Sequence, residues 1–415
     1  MVNISYKADV KKCKKKFKYR KGEFGYWWTR KNEDIEGGKY EGSICCPENL
    51  TSLRGAPRIV TGEFVCHRCR ITTLRGAPEK VGGNFSCAET KLTDLKGAPK
   101  EVGGDFYCDM CGLISLEGGP RRVGGSFYCD GNKLTSLEGG PTEIFGDYNC
   151  SYNELKNLLG APEVIPGDFS CSETNLNSLE GCPKVVKGSL ILDYNSLISL
   201  EHCAKSVGGD FIVNFNGLKS LLGGPVSVGG SYKCVNNDLR TLFGCPSVIN
   251  GDFECAGNAL NDLASCPSKV TGNFDCCSNH LVTLEGGPTE VGGYYDCSFN
   301  NLQTLKGAPS CANGDFDCSF NELTSLEGSP DVVAGEFVCH NNKLESLVGG
   351  PSVVSAHYCC SYNNLKSLRG IAHKIGGDIY CADNKLPVTD IKRARYAYEA
   401  KDSLLEECNV LQREH

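Results

Sequence analysis

Methionine occurs only 2 times in the 415 residues, and the 2 tryptophans stand side by side as Trp27 and Trp28. No run of 18 apolar residues occurs, which excludes a membrane-spanning helix of the usual kind. No apolar stretch follows the N-terminal charges, so a secretory leader is not expected and a reducing, cytoplasmic compartment is. The 7 histidines are scattered. No G-x-S-x-G, P-loop or H-E-x-x-H is present. The chain thus presents no catalytic constellation, and a protein without enzymatic activity, cofactor, metal or small-molecule substrate is expected.

What is abundant is glycine, with 50 residues, and cysteine, with 27. Both recur periodically. Leucine stands at Leu53 and at every 21st position through Leu368, sixteen times without insertion or deletion. Such regularity marks one supersecondary unit stacked on itself, and a stack offers a long surface rather than a pocket. Aligned on the leucine, the unit reads N-x-L-x-x-L-x-G-x-P-x-x-V-x-G-x-F-x-C-x-x. The F-x-C pair has period two, so both side chains share one face of a short strand. G-x-P stops any helix. The later glycine (Gly62, Gly83, Gly104) is expected to permit a tight turn into the strand. Asparagine fills its column from Asn132 onward, where stacked amides can satisfy the open backbone of each turn and its neighbour.

The run Phe127-x-Cys129-x-x-Asn132-x-Leu134-x-x-Leu137 resembles the leucine-rich repeat pattern L-x-L-x-x-N-x-L-x-x-L, with aromatic and cysteine in the two strand positions. The match covers residues 45–386. The 21-residue length resembles the short bacterial type, and the cysteine-rich variant resembles repeats of large bacteriophage proteins. The resemblance implies a mainly β repeat solenoid: a curved stack of short parallel strands with an irregular, non-helical convex side. A parallel β-helix, which uses similar periods, is the alternative. Proteins of this family mostly bind other proteins, on the concave sheet.

Fifteen cysteines form one column, expected to start at Cys45 and Cys66 and to end at Cys381. Only Leu192 and Val213 interrupt it, so the position reads as interior, with cysteine acting as a small apolar residue. Cys182, Cys203, Cys245 and Cys266 fill the middle of G-x-P in the same role. Cys66-His67-Arg68-Cys69 and Cys108-Asp109-Met110-Cys111 look like a zinc site, but the pairs lie two turns apart, roughly 10 Å by strand spacing. Cys69 and Cys111 instead fall in the asparagine column. Cys277 and Cys359 are expected to be exposed, oxidation-prone thiols.

Residues flanking and between the aromatic and the cysteine should face outward. Glu254, Asp275, Asp296 and Asp317 then form an acidic column on four consecutive turns, with Asp252, Tyr294 and Asp315 beside it. Like charges about 5 Å apart repel, so a solvated sheet gains nothing from them. They are read either as a guard against edge pairing or as a docking ridge for a basic protein; a calcium site would need oxygens converging on one ion, which a flat ladder does not supply. A second outward column carries Tyr152, Tyr194, Phe215, Phe299, Phe320 and Tyr362; it is read either as an interface track, since aromatics are favoured at interfaces, or as rings that lean over the sheet edge and pack on one another along the stack. The expected partner-binding set is Asp252, Glu254, Asp275, Tyr294, Asp296, Phe299, Asp315, Asp317 and Phe320.

The ends differ from the middle. Residues 1–31 carry eleven Lys or Arg against two acids, a formal +9, which leaves −16 for residues 32–415. Lys11, Lys12, Lys14, Lys15, Lys16, Lys18, Arg20 and Lys21 suit phosphate contact, so a nucleic-acid partner is the alternative to a protein one. The expected layout is a basic, aromatic arm and cap over 1–42, a solenoid over 43–386 and a capping helix over 387–415. A third reading is a structural virion or assembly component. Composition does not fix the oligomeric state.

Overall fold

The structure is a computed structural model and describes residues 38–387. The basic run Lys11–Lys21, Trp27, Trp28 and the expected C-terminal helix lie outside the described residues. The chain divides into two units, Met1–Asn175 with Gly181–Pro183, and Leu176–Glu180 with Lys184–His415. Both are built from the same turn, about sixteen in all, and no helix occurs among the described residues. None of these residues forms a helix long and apolar enough to cross a membrane.

Each F-x-C segment begins a two-residue strand. In the first unit the strands Ile44–Cys45, Phe64–Val65, Phe85–Ser86, Phe106–Tyr107, Phe127–Tyr128, Tyr148–Asn149 and Phe169–Ser170 pair in parallel, each with the next. In the second unit the same ladder runs from Leu190–Ile191 to Ile379–Tyr380. Beyond the first turn the register joins residues 21 apart, so each column of the sequence becomes a row of touching side chains. Rings of the aromatic column follow one another at 5.0 Å from Phe85 to Phe106 and at 4.8 Å from Phe274 to Tyr295. One turn shows the whole interior set: Leu323, Leu326, Val333, Phe337 and Cys339 are all 0% exposed. Burying a large apolar side chain contributes about 1.5–3 kcal/mol, and each turn repeats that gain.

The first turn departs from the expected register. Ile44 pairs with Phe64 and Cys45 with Val65, a step of 20 residues. Cys46 is therefore the buried member of the column and Cys45 is exposed. The leucine spacing could not show this, because the missing residue lies between Cys46 and Leu50, ahead of Leu53.

The return side is non-helical, as expected, and more ordered than "irregular" implies. A second ladder of two-residue parallel strands runs from Lys39–Tyr40 to Glu143–Ile144 in the first unit. Comparable ladders join Val185–Val186 to Ser227–Val228, Val248–Ile249 to Glu290–Val291, and Cys311–Ala312 to Lys374–Ile375. Lys39–Tyr40 already pairs with Ile59–Val60. The later glycine of the repeat serves close approach: a Cβ on Gly104 would come within 2.1 Å of Asn84 Oδ1. It is the earlier one that needs a left-handed backbone, with φ +92° at Gly76.

Asparagine ties turn to turn. Asn321 Nδ2 donates to the Cys297 carbonyl of the preceding turn at 3.0 Å and to the Cys318 carbonyl of its own at 3.2 Å. Its Oδ1 accepts the Leu302 N–H at 2.9 Å. Cys69 and Cys111 take over part of this work. Cys69 Sγ donates to the Pro47 carbonyl at 3.2 Å, and Cys111 Sγ to the Cys87 carbonyl at 3.1 Å.

Tyrosine in the aromatic column is coupled to glycine in the middle of G-x-P. The hydroxyls of Tyr148, Tyr232, Tyr295 and Tyr358 are buried. Gly140, Gly224, Gly287 and Gly350 precede them, and a Cβ on Gly287 would stand 3.2 Å from the Tyr295 hydroxyl. Before Phe85 and Phe106 the same position holds Ala77 and Ala98. The coupling yields a double-mutant prediction. Gly287→Ala alone should lower the urea midpoint of unfolding. In a Tyr295→Phe background, which removes a buried hydroxyl lacking a protein partner, the same change should cost less, with only the Leu263 Cδ1 and Leu284 carbonyl contacts at 3.0 Å left to absorb. Equal losses in both backgrounds would remove the steric explanation.

Candidate functional site

The acidic column forms one continuous row in the second unit. Glu254 registers with Asp275, Asp275 with Asp296, and Asp296 with Asp317. The reason for aspartate here is partly local. Asp275 Oδ1 accepts the Cys277 N–H at 2.9 Å, Asp296 Oδ1 that of Ser298 at 2.8 Å, and Asp317 Oδ1 that of Ser319 at 2.8 Å. Each is an Asx turn that leads the chain off the strand. One oxygen of each carboxylate thus has a structural task. The charge that comes with it does not, because the amide of Asn149 does the same for Ser151 at 3.1 Å.

Glu254 differs from its neighbours. Its carboxylate pairs with Lys233 Nζ, one turn earlier in the same column, at 2.7 Å. Lys233 was not singled out in the sequence, and it offsets the charge at that end of the row. Asp252 and Asp315 lie one residue before the aromatic. Asp252 Oδ1 accepts the Asn273 N–H at 2.8 Å, and Asp315 Oδ1 that of Glu336 at 2.7 Å. They belong to a second polar ladder that the sequence reading missed. Its signal is the recurrence of Asn84, Asp105, Ser126 and Asp147, all short side chains with an acceptor oxygen. Tyr294 interrupts that ladder. Burial, then the charges of Asp275, Glu254, Asp252 and Asp296, push its hydroxyl up to about 12.

The structure therefore brings Asp252, Glu254, Asp275, Tyr294, Asp296, Asp315 and Asp317 onto one face. Phe299 and Phe320 flank it at the edge, stacked at 4.2 Å with their planes 10° apart. They are 53% and 41% exposed, so the core does not claim them. Their backbone is left-handed, φ +52° at both, as it is at Tyr194 (+53°) and Tyr362 (+53°). Gly131 and Gly257 occupy the same column, at +65° and +64°. A glycine alternating with other residues at one repeat position was the legible sign of this conformation. A bulky side chain there costs roughly 1–2 kcal/mol.

Asp275, Cys277 and Asp296 can bring one ligand atom each within 4.8 Å of one another. Two carboxylates and one thiol on an open strand face are a sparse donor set for an ion. Burial, with Asp275 beside it, pushes the Cys277 thiol up to about 12, so its proton is held. Burial pushes the Cys359 thiol to about 12 as well. The expectation that Cys277 and Cys359 are oxidation-prone is thus corrected, because reactivity follows the thiolate. Both are half-buried, whereas Cys45 and Cys311 are exposed.

No family model matches the chain, and no curated protein does. Among solved structures it is similar to YopM from Yersinia enterocolitica WA-314, at 20% identity and a TM-score of 0.57, covering 91% of this chain and 85% of that one. A YopM structure described as a leucine-rich effector protein from Yersinia pestis gives 17% identity and a TM-score of 0.44, over 73% of this chain and 82% of that one. The fold is a leucine-rich-repeat-like parallel solenoid.

The half-buried carboxyls carry a pH signature. Burial raises the Asp275 and Asp317 carboxyls above the ordinary aspartate value, and the Asp296 charge adds to each. A carboxyl with a raised folded pKa contributes stability that is full below its unfolded pKa and lost as pH rises through the folded one. Asp275→Asn, Asp296→Asn and Asp317→Asn together keep the Oδ1 acceptors and remove the charges. That triple variant should melt above the wild type at about pH 7, and the gap should narrow as pH falls through the raised pKa values of Asp275 and Asp317. Thermal melts across that range decide it, and a gap independent of pH would refute the assignment.

Proposed function

We propose that the protein is a non-enzymatic scaffold that binds a basic protein partner on its strand face between residues 252 and 320. The observation that carries this reading is the uncompensated row Asp275, Asp296, Asp317, flanked by the exposed Phe299–Phe320 stack. An amide would make the same Asx turn without mutual repulsion, so the turns do not explain the charge. Charge sets specificity and encounter rate, and aromatics supply most contact energy at such surfaces. The leucine-rich-repeat-like fold supports an interaction surface in general.

A reducing compartment fits the thiols of Cys66, Cys87, Cys108 and Cys129, which are buried and free on successive turns. The nucleic-acid reading rests on Lys11–Lys21, and no observation of the described residues favours it.

The test is affinity capture with the wild type beside the Asp275→Asn, Asp296→Asn, Asp317→Asn variant, which keeps the turn geometry. A basic protein retained by the wild type, lost from the variant and released by salt is the expected result. Identical capture by both would move function away from this face.

A further inference from the structure

The aromatic column has a gap at Asn341. Phe320 precedes it by one turn and Tyr362 follows by one, so their rings stand two turns apart, roughly twice the 4.8 Å strand spacing. Asn341 has the same left-handed backbone, φ +52°, and forms the floor of a shallow groove of about 570 Å³. Phe299, Phe320, Tyr362, Glu322 and Lys343 line its walls and rim. Lys343 and Glu322 pair with each other. Asn341 Nδ2 lies 2.8 Å from His340 Nδ1, and the His340 ring stands edge-on to Phe320 at 5.1 Å. In the preceding turns the same column is filled without interruption by Phe299 against Phe320 at 4.2 Å. The groove is thus open to solvent over Asn341, with Phe320 on one side and Tyr362 on the other.

We propose that this slot takes the guanidinium of an arginine in the partner, an inference that rests on the scaffold reading above. Three features select that group. A planar cation entering over Asn341 comes between Phe320 and Tyr362, each about one strand spacing away and so within the roughly 6 Å reach of a cation–π contact. The acid row ends one turn earlier at Asp317, so a chain laid along the row delivers a cationic residue to the slot. The same carboxylates repel a phosphate backbone, which disfavours a nucleobase as occupant. Lysine carries the charge without the plane, and a neutral aromatic has the plane without the charge. The slot also gives a use to bulky residues held in a left-handed backbone at Phe320 and Tyr362, where glycine would fit more easily.

The full protein would be titrated with an Arg–Gly repeat peptide, its Lys–Gly counterpart and oligothymidylate at one ionic strength. The Arg peptide should bind about fivefold tighter than the Lys peptide. Asn341→Phe plugs the slot with a side chain this backbone already accepts at Phe299 and Phe320. Tyr362→Gly removes one wall and places glycine where Gly131 and Gly257 stand in other turns. Both variants should lose the preference for arginine while keeping salt-sensitive binding of either peptide. Equal affinities in the wild type, a preference that survives the plug, or oligothymidylate binding lost on plugging would each overturn the slot. Equal binding that vanishes in the triple Asp→Asn variant would leave the scaffold reading standing without the slot. No binding of either peptide would remove both.

Discussion

The interior of this structure closes around the side chain that fills the asparagine column and stitches one turn to the next. Backbone bonds such as Phe316 N–H to the Glu336 carbonyl and Glu322 N–H to the Leu302 carbonyl join neighbouring turns, and they leave the carbonyls at the end of the F-x-C strand to be met by a side chain. At Asn321 a single side chain serves Cys297, Cys318 and Leu302. Buried polar groups left unpaired cost about 1–3 kcal/mol each, so the interior Leu, Val, aromatic and Cys columns can close only where this position is filled. That is why Cys111 and Thr90 stand in for asparagine in the first unit. Thr90 Oγ1 donates to the Cys87 carbonyl at 2.8 Å, one of the carbonyls that Cys111 also reaches.

A repeat held in this manner multiplies its columns, and a column of acids or aromatics need not be functional. The aspartates before the aromatic are ladder acceptors. The aspartates after it hold Asx turns. What such roles leave over is narrower than the residue list: the outer oxygen of Asp275, Asp296 and Asp317, their net charge, and the ring faces of Phe299, Phe320 and Tyr362. Function is argued from those atoms because the fold does not use them.

The sequence displayed the architecture well, since sixteen leucines at constant spacing admit few alternatives and the interior columns follow from period and residue type. It also showed the acid row and the aromatic column as rows, because register is like on like. Three things were hidden for physical reasons. The first turn is shorter by one residue at a point the leucine spacing does not sample, which moved the buried thiol from Cys45 to Cys46. The Asx role of Asp275 is a bond to its own backbone, and composition does not separate it from a binding role. The gap at Asn341 is a short polar side chain between two rings of the same column, visible only once the column is known to be left-handed and stacked.

The most direct measurement is hydrogen exchange on the wild type and on Asn321→Asp. The substitution keeps shape and an acceptor oxygen, and it takes away the donor that reaches the Cys297 and Cys318 carbonyls. Because each turn contacts only its neighbours, the account predicts faster exchange across the turns spanning residues 297–323, with protection retained around Phe85 and Cys87. Unchanged exchange at residues 297–323 would contradict the claim that the amide ladder holds the stack together.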